Sequence, residues 1–115
     1  MIFVIDDDKI MAECVAKACG EKGVRIFGDA LAAVGALEDG LPEMIFMDVM
    51  LTGPDGFTML NELISYPDTM KIPIVIVTAM RLSSLDLSEY GVVGVLNKDT
   101  MTPTEIKEYV RKYCR

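Results

Sequence analysis

The sequence predicts an α/β fold, with a five-stranded parallel sheet doubly wound by five helices. Three observations lead there. Short apolar runs recur five times along the chain. Most are continuous rather than alternating, and three are rich in Val and Ile, as strands of a parallel sheet covered on both faces are. Between the runs lie segments with apolar residues at helical spacing. The order is therefore strand then helix, five times over, which implies right-handed crossovers within one parallel sheet.

The elements follow in order. Ile2-Phe3-Val4-Ile5 is the first strand. Ile10, Cys14, Val15 and Ala18 form the inward stripe of the first helix, which ends near Gly20 and Gly23. Val24-Arg25-Ile26-Phe27 is the second strand. Leu31, Val34 and Leu37 mark the second helix, with Asp29 as N-cap and Gly40 as stop. Met44-Ile45-Phe46-Met47 is the third strand, and Phe57, Leu60 and Ile64 carry the helix that ends before Pro67. Ile74-Val75-Ile76-Val77 is the fourth strand, followed by a weaker, polar helix from Leu82 to Tyr90. Val92-Val93-Gly94-Val95-Leu96 is the fifth strand. The last helix runs from about Thr102 to Tyr113, with Pro103 in its first turn and Ile106 and Val110 inward.

A chain of 115 residues that is 51% hydrophobic suits one domain over residues 1–115 with a real core. The chain ends with the fifth helix, so no attached output domain is expected. Eleven basic against eighteen acidic residues leave a net charge of −7, and there is no histidine. That balance argues against direct nucleic-acid binding, which needs a basic face. It also excludes a His-based triad and His metal ligands. Cys14, Cys19 and Cys114 are odd in number and form no CxxC pair, so they read as small buried hydrophobes in a reducing compartment. The apolar start, Met1 to Ile5, meets three aspartates after five residues. It is neither a signal peptide nor a membrane span, and a cytoplasmic protein without a membrane partner is expected.

In an open parallel sheet, ligands bind outside the carboxyl ends of the strands. Asp6, Asp7 and Asp8 follow the first run, Asp48 the third, Thr78 the fourth and Lys98 the fifth. Carboxylates gathered at one sheet edge repel each other and call for a cation. Oxygen donors without His or Cys suit a hard ion such as Mg²⁺. Lys98 is a compact positive charge for a carboxylate or a phosphoryl oxygen, and Thr78 offers a hydroxyl donor. A carboxylate can act as nucleophile and form an acyl phosphate. Each feature also has a plainer reading. Asp8 serves as the cap of the first helix, Asp48 before Thr52, Gly53 and Pro54 can be a turn signal, and an isolated lysine is usually a solvated charge. The conjunction carries the argument.

The same residues resemble the receiver domain of two-component response regulators, of the chemotaxis-regulator kind, over nearly the whole chain. The matching segments are Val4-Ile5-Asp6-Asp7-Asp8, Ile45-Phe46-Met47-Asp48-Val49-Met50, Asp55-Gly56, Val77-Thr78-Ala79, and Lys98 after Gly91 to Asn97. The resemblance implies a flavodoxin-like sheet in the order 2-1-3-4-5. It implies that Asp48 accepts a phosphoryl group from a sensor histidine kinase or a phosphotransfer protein. Asp7, Asp48 and the backbone carbonyl of Met50 would ligate Mg²⁺ directly, with Asp6 acting through a water. Thr78 and Lys98 would hold phosphoryl oxygens. The domain would catalyse only its own phosphorylation and dephosphorylation, so it would be a signalling switch rather than an enzyme. Its output, to an unidentified downstream protein, would use the face of the fourth predicted helix, fifth strand and fifth predicted helix, with Leu85, Leu87, Tyr90, Lys107, Tyr109 and Arg111. A homodimer through that face is a further partner the resemblance admits.

Three positions depart from the family pattern. Val95 stands three residues before the lysine, where Tyr or Phe is usual. Asp99 replaces the usual cis proline; a cis bond without proline costs roughly 3 kcal/mol, so a trans turn is expected. Thr52 stands where Pro is frequent. Two alternatives share the same residues. One is a degenerate receiver that acts as a phosphorylation-independent binding module. The other is a haloacid dehalogenase-type phosphatase using Asp6 and Asp8, although Ile10 stands where that class wants Thr or Val. A flavodoxin-like cofactor binder would need a Gly- or Ser/Thr-rich phosphate loop where this chain has three aspartates.

Overall fold

A computed structural model describes residues 1–50, 56–79 and 90–114, with Gly56 and Phe57 described by backbone alone. The strands are β1 (Ile2–Ile5), β2 (Val24–Phe27), β3 (Met44–Met47), β4 (Ile74–Thr78) and β5 (Val92–Asn97). All pair in parallel, in the order β2-β1-β3-β4-β5. The five apolar runs are thus the five strands, with β4 and β5 each one residue longer than read. The described helices are α1 (Lys9–Ala18), α2 (Ala30–Ala36), α3 (Gly56–Ile64) and α4 (Pro103–Tyr113), and one 3-10 turn, Leu37–Asp39, extends α2. The helix expected over Leu82–Tyr90 falls, but for Tyr90, outside the described residues, as do Thr52, Pro54 and Asp55.

Alternation along each strand divides the core. Ile2, Val4, Met44, Phe46, Val75 and Val77 face α1 and α4. Phe3, Ile5, Ile45, Met47, Ile74 and Ile76 face α2 and α3. Each fully buried aliphatic or aromatic side chain contributes roughly 1.5–3 kcal/mol. Because β1, β3 and β4 are buried on both faces, they are apolar but for Thr78 at the end of β4. β2 is an edge strand, and Arg25 and Ile26 on it are exposed. The other edge, β5, has a bulge: Ile74 pairs with Val92 and Val75 with Gly94, which leaves Val93 over.

The helix starts are where the short acids predict. Asp8 caps α1 by accepting from the Met11 amide at 3.2 Å, and Asp29 caps α2 from Ala32 at 2.8 Å. Past the end of α1, Gly20 takes φ 72°, a left-handed conformation that glycine adopts without strain. Thr102 and Glu105 form a capping box on α4, with Pro103 in the first turn.

The two inward stripes hold in part: Val15 and Ala18 are buried and Val34 and Leu37 pack against the core, whereas Ile10 and Leu31 face outward. Ile10 is 76% exposed and Leu31 67% exposed. The residues against the sheet are Ala12, Val15 and Ala18 in α1, and Ala30, Ala33 and Ala36 in α2. Small side chains thus make most of the buried contact of these two helices, while Ile10 and Leu31 turn outward. The same rotation exposes Cys14, against the expectation of three buried thiols; Cys19 is buried and Cys114 half-buried. Burial pushes the Cys19 thiol up to about 11, with a smaller push from nearby Cys114.

Candidate functional site

β1 and β3 are neighbours in register, with Ile5 opposite Met47, so the residues that follow them leave the sheet side by side. The Asp6 amide still donates to the Phe27 carbonyl at 2.9 Å, and the Asp48 amide to Ile5 at 3.0 Å. Backbone pairing therefore continues one residue past the strands and aims both carboxylates over the same edge. That edge lies at the point where the strand order reverses. Asp6 is 5% exposed and Asp48 4%.

Each carboxylate is then fixed from two sides. Asp6 Oδ1 accepts from the Asp8 amide at 2.9 Å, and Asp48 Oδ1 from the Met50 amide at 2.9 Å. The Lys98 ammonium lies between them, with Nζ 2.9 Å from Asp6 Oδ2 and 2.7 Å from Asp48 Oδ2. Three strands, β1, β3 and β5, thus contribute one charged side chain each. Lys98 is positioned by its own backbone, whose N–H donates to the Thr78 carbonyl at 3.0 Å. Thr78 ends β4, opposite Asn97, and is fully buried.

Charge and burial compete here. Burial pushes the Asp6 carboxyl above its ordinary 3.8, the Asp48 charge adds to the rise, and the Asp8 amide and Lys98 only partly oppose it. For Lys98, burial pulls the ammonium down, but hydrogen bonds and attraction to Asp48 and Asp6 outweigh it, and the net shift is upward from 10.5.

The structure gathers Asp6, Asp48, Thr78 and Lys98 at the predicted edge. Asp7 is exposed, and Met50, 54% exposed, meets Asp48 through its N–H. Among the described residues, no three acidic or thiol side chains converge tightly enough to hold a metal ion unaided. Two buried carboxylates nevertheless form a hard-oxygen donor pair of the kind that suits Mg²⁺, which usually takes one or two carboxylates and fills its remaining positions with water or phosphate. The pair fits that ion.

The turn after Lys98 contains no cis peptide bond, in keeping with Asp99. Its shape comes from Asn97, whose side chain accepts from the Asp99 amide at 2.8 Å while its carbonyl accepts from Met101 at 2.8 Å. Sequence reading passed over Asn97, although Asn at a strand end is a turn signal of its own. Val95 is 45% exposed. On the predicted output face, Lys107 and Arg111 are exposed, and Tyr109 and Tyr90 half-buried. Leu85 and Leu87 lie outside the described residues.

Many solved structures share this fold. PleD, a response regulator of Caulobacter vibrioides, is 40% identical over 52 residues, 45% of this chain and 12% of that protein. TcrX of Mycobacterium tuberculosis, described as a probable transcriptional regulatory protein, is 31% identical over 80 residues, 68% of this chain and 33% of that protein. The chain thus spans an eighth to a third of the length of these curated relatives. The crystal structure of the NtrX receiver domain from Brucella abortus superposes with a TM-score of 0.85 at 22% identity, covering 98% of this chain and 97% of that one. The family model for the response regulator receiver domain matches residues 2–111 and gives no support to the haloacid dehalogenase alternative. With that match spanning all five strands and the acid, hydroxyl and lysine positions at their ends, the chain belongs to the response regulator receiver domain family.

Proposed function

We propose that the chain is a single receiver domain switched by phosphorylation of Asp48. The observation that carries this reading is the Lys98 ammonium held between Asp6 and Asp48. A carboxylate Oδ of Asp48 attacks the phosphorus of a phosphohistidine donor. The O–P bond forms, the P–N bond breaks, and the imidazole leaves and takes up a proton. As charge moves onto the phosphoryl oxygens, Lys98 shifts its contact from Asp48 to one of them, and the Thr78 hydroxyl donates to another. Asp6, Asp7, Asp48 and the Met50 carbonyl are the groups that would hold Mg²⁺, which supplies neutralisation of the carboxylates and the phosphoryl oxygens. Water later cleaves the acyl phosphate, releases inorganic phosphate and restores the carboxylate.

On this reading the domain acts on itself and not on a separate substrate. Its donor is a sensor histidine kinase or a phosphotransfer protein, and its output is a change in binding to another protein or to a second copy through β5 and α4. A cytoplasmic location accords with these partners. Among the described residues, no helix is long and apolar enough to cross a membrane.

The test is incubation with Mg²⁺ and acetyl phosphate followed by intact mass, with Asp48→Asn as control. A gain of one phosphoryl group that requires Mg²⁺ and vanishes in Asp48→Asn is expected. No gain by folded protein would transfer the assignment to a phosphorylation-independent binding module.

A further inference from the structure

A second feature lies on the α2–α3 face, at the edge of the sheet opposite the aspartates. The turn that ends α2 leads into the start of β3, and the segment after α3 leads into the start of β4. Between these helix ends runs a furrow of about 370 Å³. Its floor and walls are apolar: Val34, Leu37, Leu41, Leu63 and Tyr66. Leu41 is 47% exposed and Tyr66 59% exposed, so this apolar surface faces solvent. Glu38, Glu62 and Asp68 also line it, and no lining residue is basic.

We propose that this furrow docks a cationic amphipathic helix from another protein. An apolar trough between two helices fits the apolar stripe of a third, anchored at helical spacing. Acids around the trough attract Lys or Arg flanking that stripe and repel nucleic acid and anionic lipid. A second copy is a poor occupant. A two-fold contact would set the three acids of one molecule against those of the other, in a chain of net charge −7. The site is separate from the Asp6–Asp48–Lys98 cluster, and its argument does not depend on phosphorylation.

The probe is a synthetic peptide of leucine and lysine at helical spacing, about four turns long. The same peptide with glutamate for lysine is the control. Amide chemical shifts of the whole chain are followed during titration at physiological salt. The expected result is saturable binding of the lysine peptide, with shifts centred on Leu37, Leu41, Leu63 and Tyr66. Leu41→Ser with Tyr66→Ser, both exposed positions, weakens binding about tenfold or more, and so does Glu62→Lys with Asp68→Lys. An unchanged amide spectrum elsewhere shows that each variant is folded. The proposal is overturned if the lysine peptide does not bind, if its shifts centre elsewhere, if both double variants bind as the parent does, or if the glutamate peptide binds equally well. Concentration-dependent shifts at the furrow without peptide, with a dimer in sedimentation, would also overturn it and make a second copy the occupant.

Discussion

The ring of Tyr109 occupies the space that a side chain at Gly94 would need. A Cβ built on Gly94 would fall well inside contact distance of the Tyr109 hydroxyl and ring. Strand β5 thus has a glycine where α4 lays an aromatic side chain on it, and Tyr109 stacks in turn on Tyr113 at a centroid distance of 6.4 Å.

Gly94→Ala therefore has two opposed effects. Alanine suits an edge strand better than glycine by roughly 0.5–1 kcal/mol, but its methyl expels the tyrosine ring. We expect expulsion to win, with a net loss of about 1–2 kcal/mol in urea unfolding. Tyr109→Ala in the same chain removes the clash, so the double variant loses less than the sum of the two single losses. Additive losses would show that the ring does not pack on Gly94.

Lys98→Ala leaves Asp6 and Asp48 facing each other without a counter-charge. Removing one partner of a buried ion pair costs about 3 kcal/mol or more, and a loss of that order is expected in a chelator-containing buffer. Millimolar Mg²⁺ should restore more stability to Lys98→Ala than to the parent chain, because the ion takes over the neutralisation. Thermal melts of both proteins with and without Mg²⁺ make the comparison. Equal Mg²⁺ effects would count against a shared cation position.

The raised Asp6 carboxyl gives a signed dependence on pH. Its folded value lies above 3.8, so the folded state binds the proton more tightly than the unfolded state. Stability from this group is then present at low pH and is lost as pH rises from 3.8 through the folded value. Asp6→Asn, neutral throughout, should have a higher Tm than the parent at pH 7, and the gap should close in acid. For Lys98 the raised value means that stability is present below 10.5 and is lost as pH rises through the folded value. Lys98→Met should therefore lack the alkaline loss seen in the parent.

Thr102→Ala removes half of the capping box on α4. The Thr102 hydroxyl accepts from the Glu105 amide at 3.3 Å, and Glu105 accepts from the Thr102 amide at 2.9 Å. Loss of such a cap typically costs ~1 kcal/mol. Thr102→Ser, which keeps the hydroxyl, should stay within a few tenths of the parent by urea unfolding.

Legibility followed the range of the interaction. Strands buried on both faces announce themselves as unbroken apolar runs, and Asp8 and Asp29 mark helix starts because a cap is made within three residues. The meeting of Asp6, Asp48, Thr78 and Lys98 could be read because each stands at or directly after the end of a strand, and parallel strands bring their ends to one edge. Helix phase could not be read in the same way. Ile10 and Leu31 are more apolar than Ala12 and Ala33, yet the small residues set how closely a helix lies on its sheet. The Gly94–Tyr109 contact was hidden for a related reason, since it exists only once β5 and α4 are packed together. Asn97 was legible as a turn former and was overlooked beside its charged neighbour.

One ammonium shared by two carboxylates has a thermodynamic corollary. Asp6 and Asp48 follow different strands, and Asp6 feels the charge of Asp48 directly while sharing Lys98 with it. Neutralising Asp48 by any means removes a repulsion from Asp6 and leaves it the undivided attention of the amine, so Asp6 releases its proton more readily. A change of charge at the end of β3 is thus registered at the end of β1.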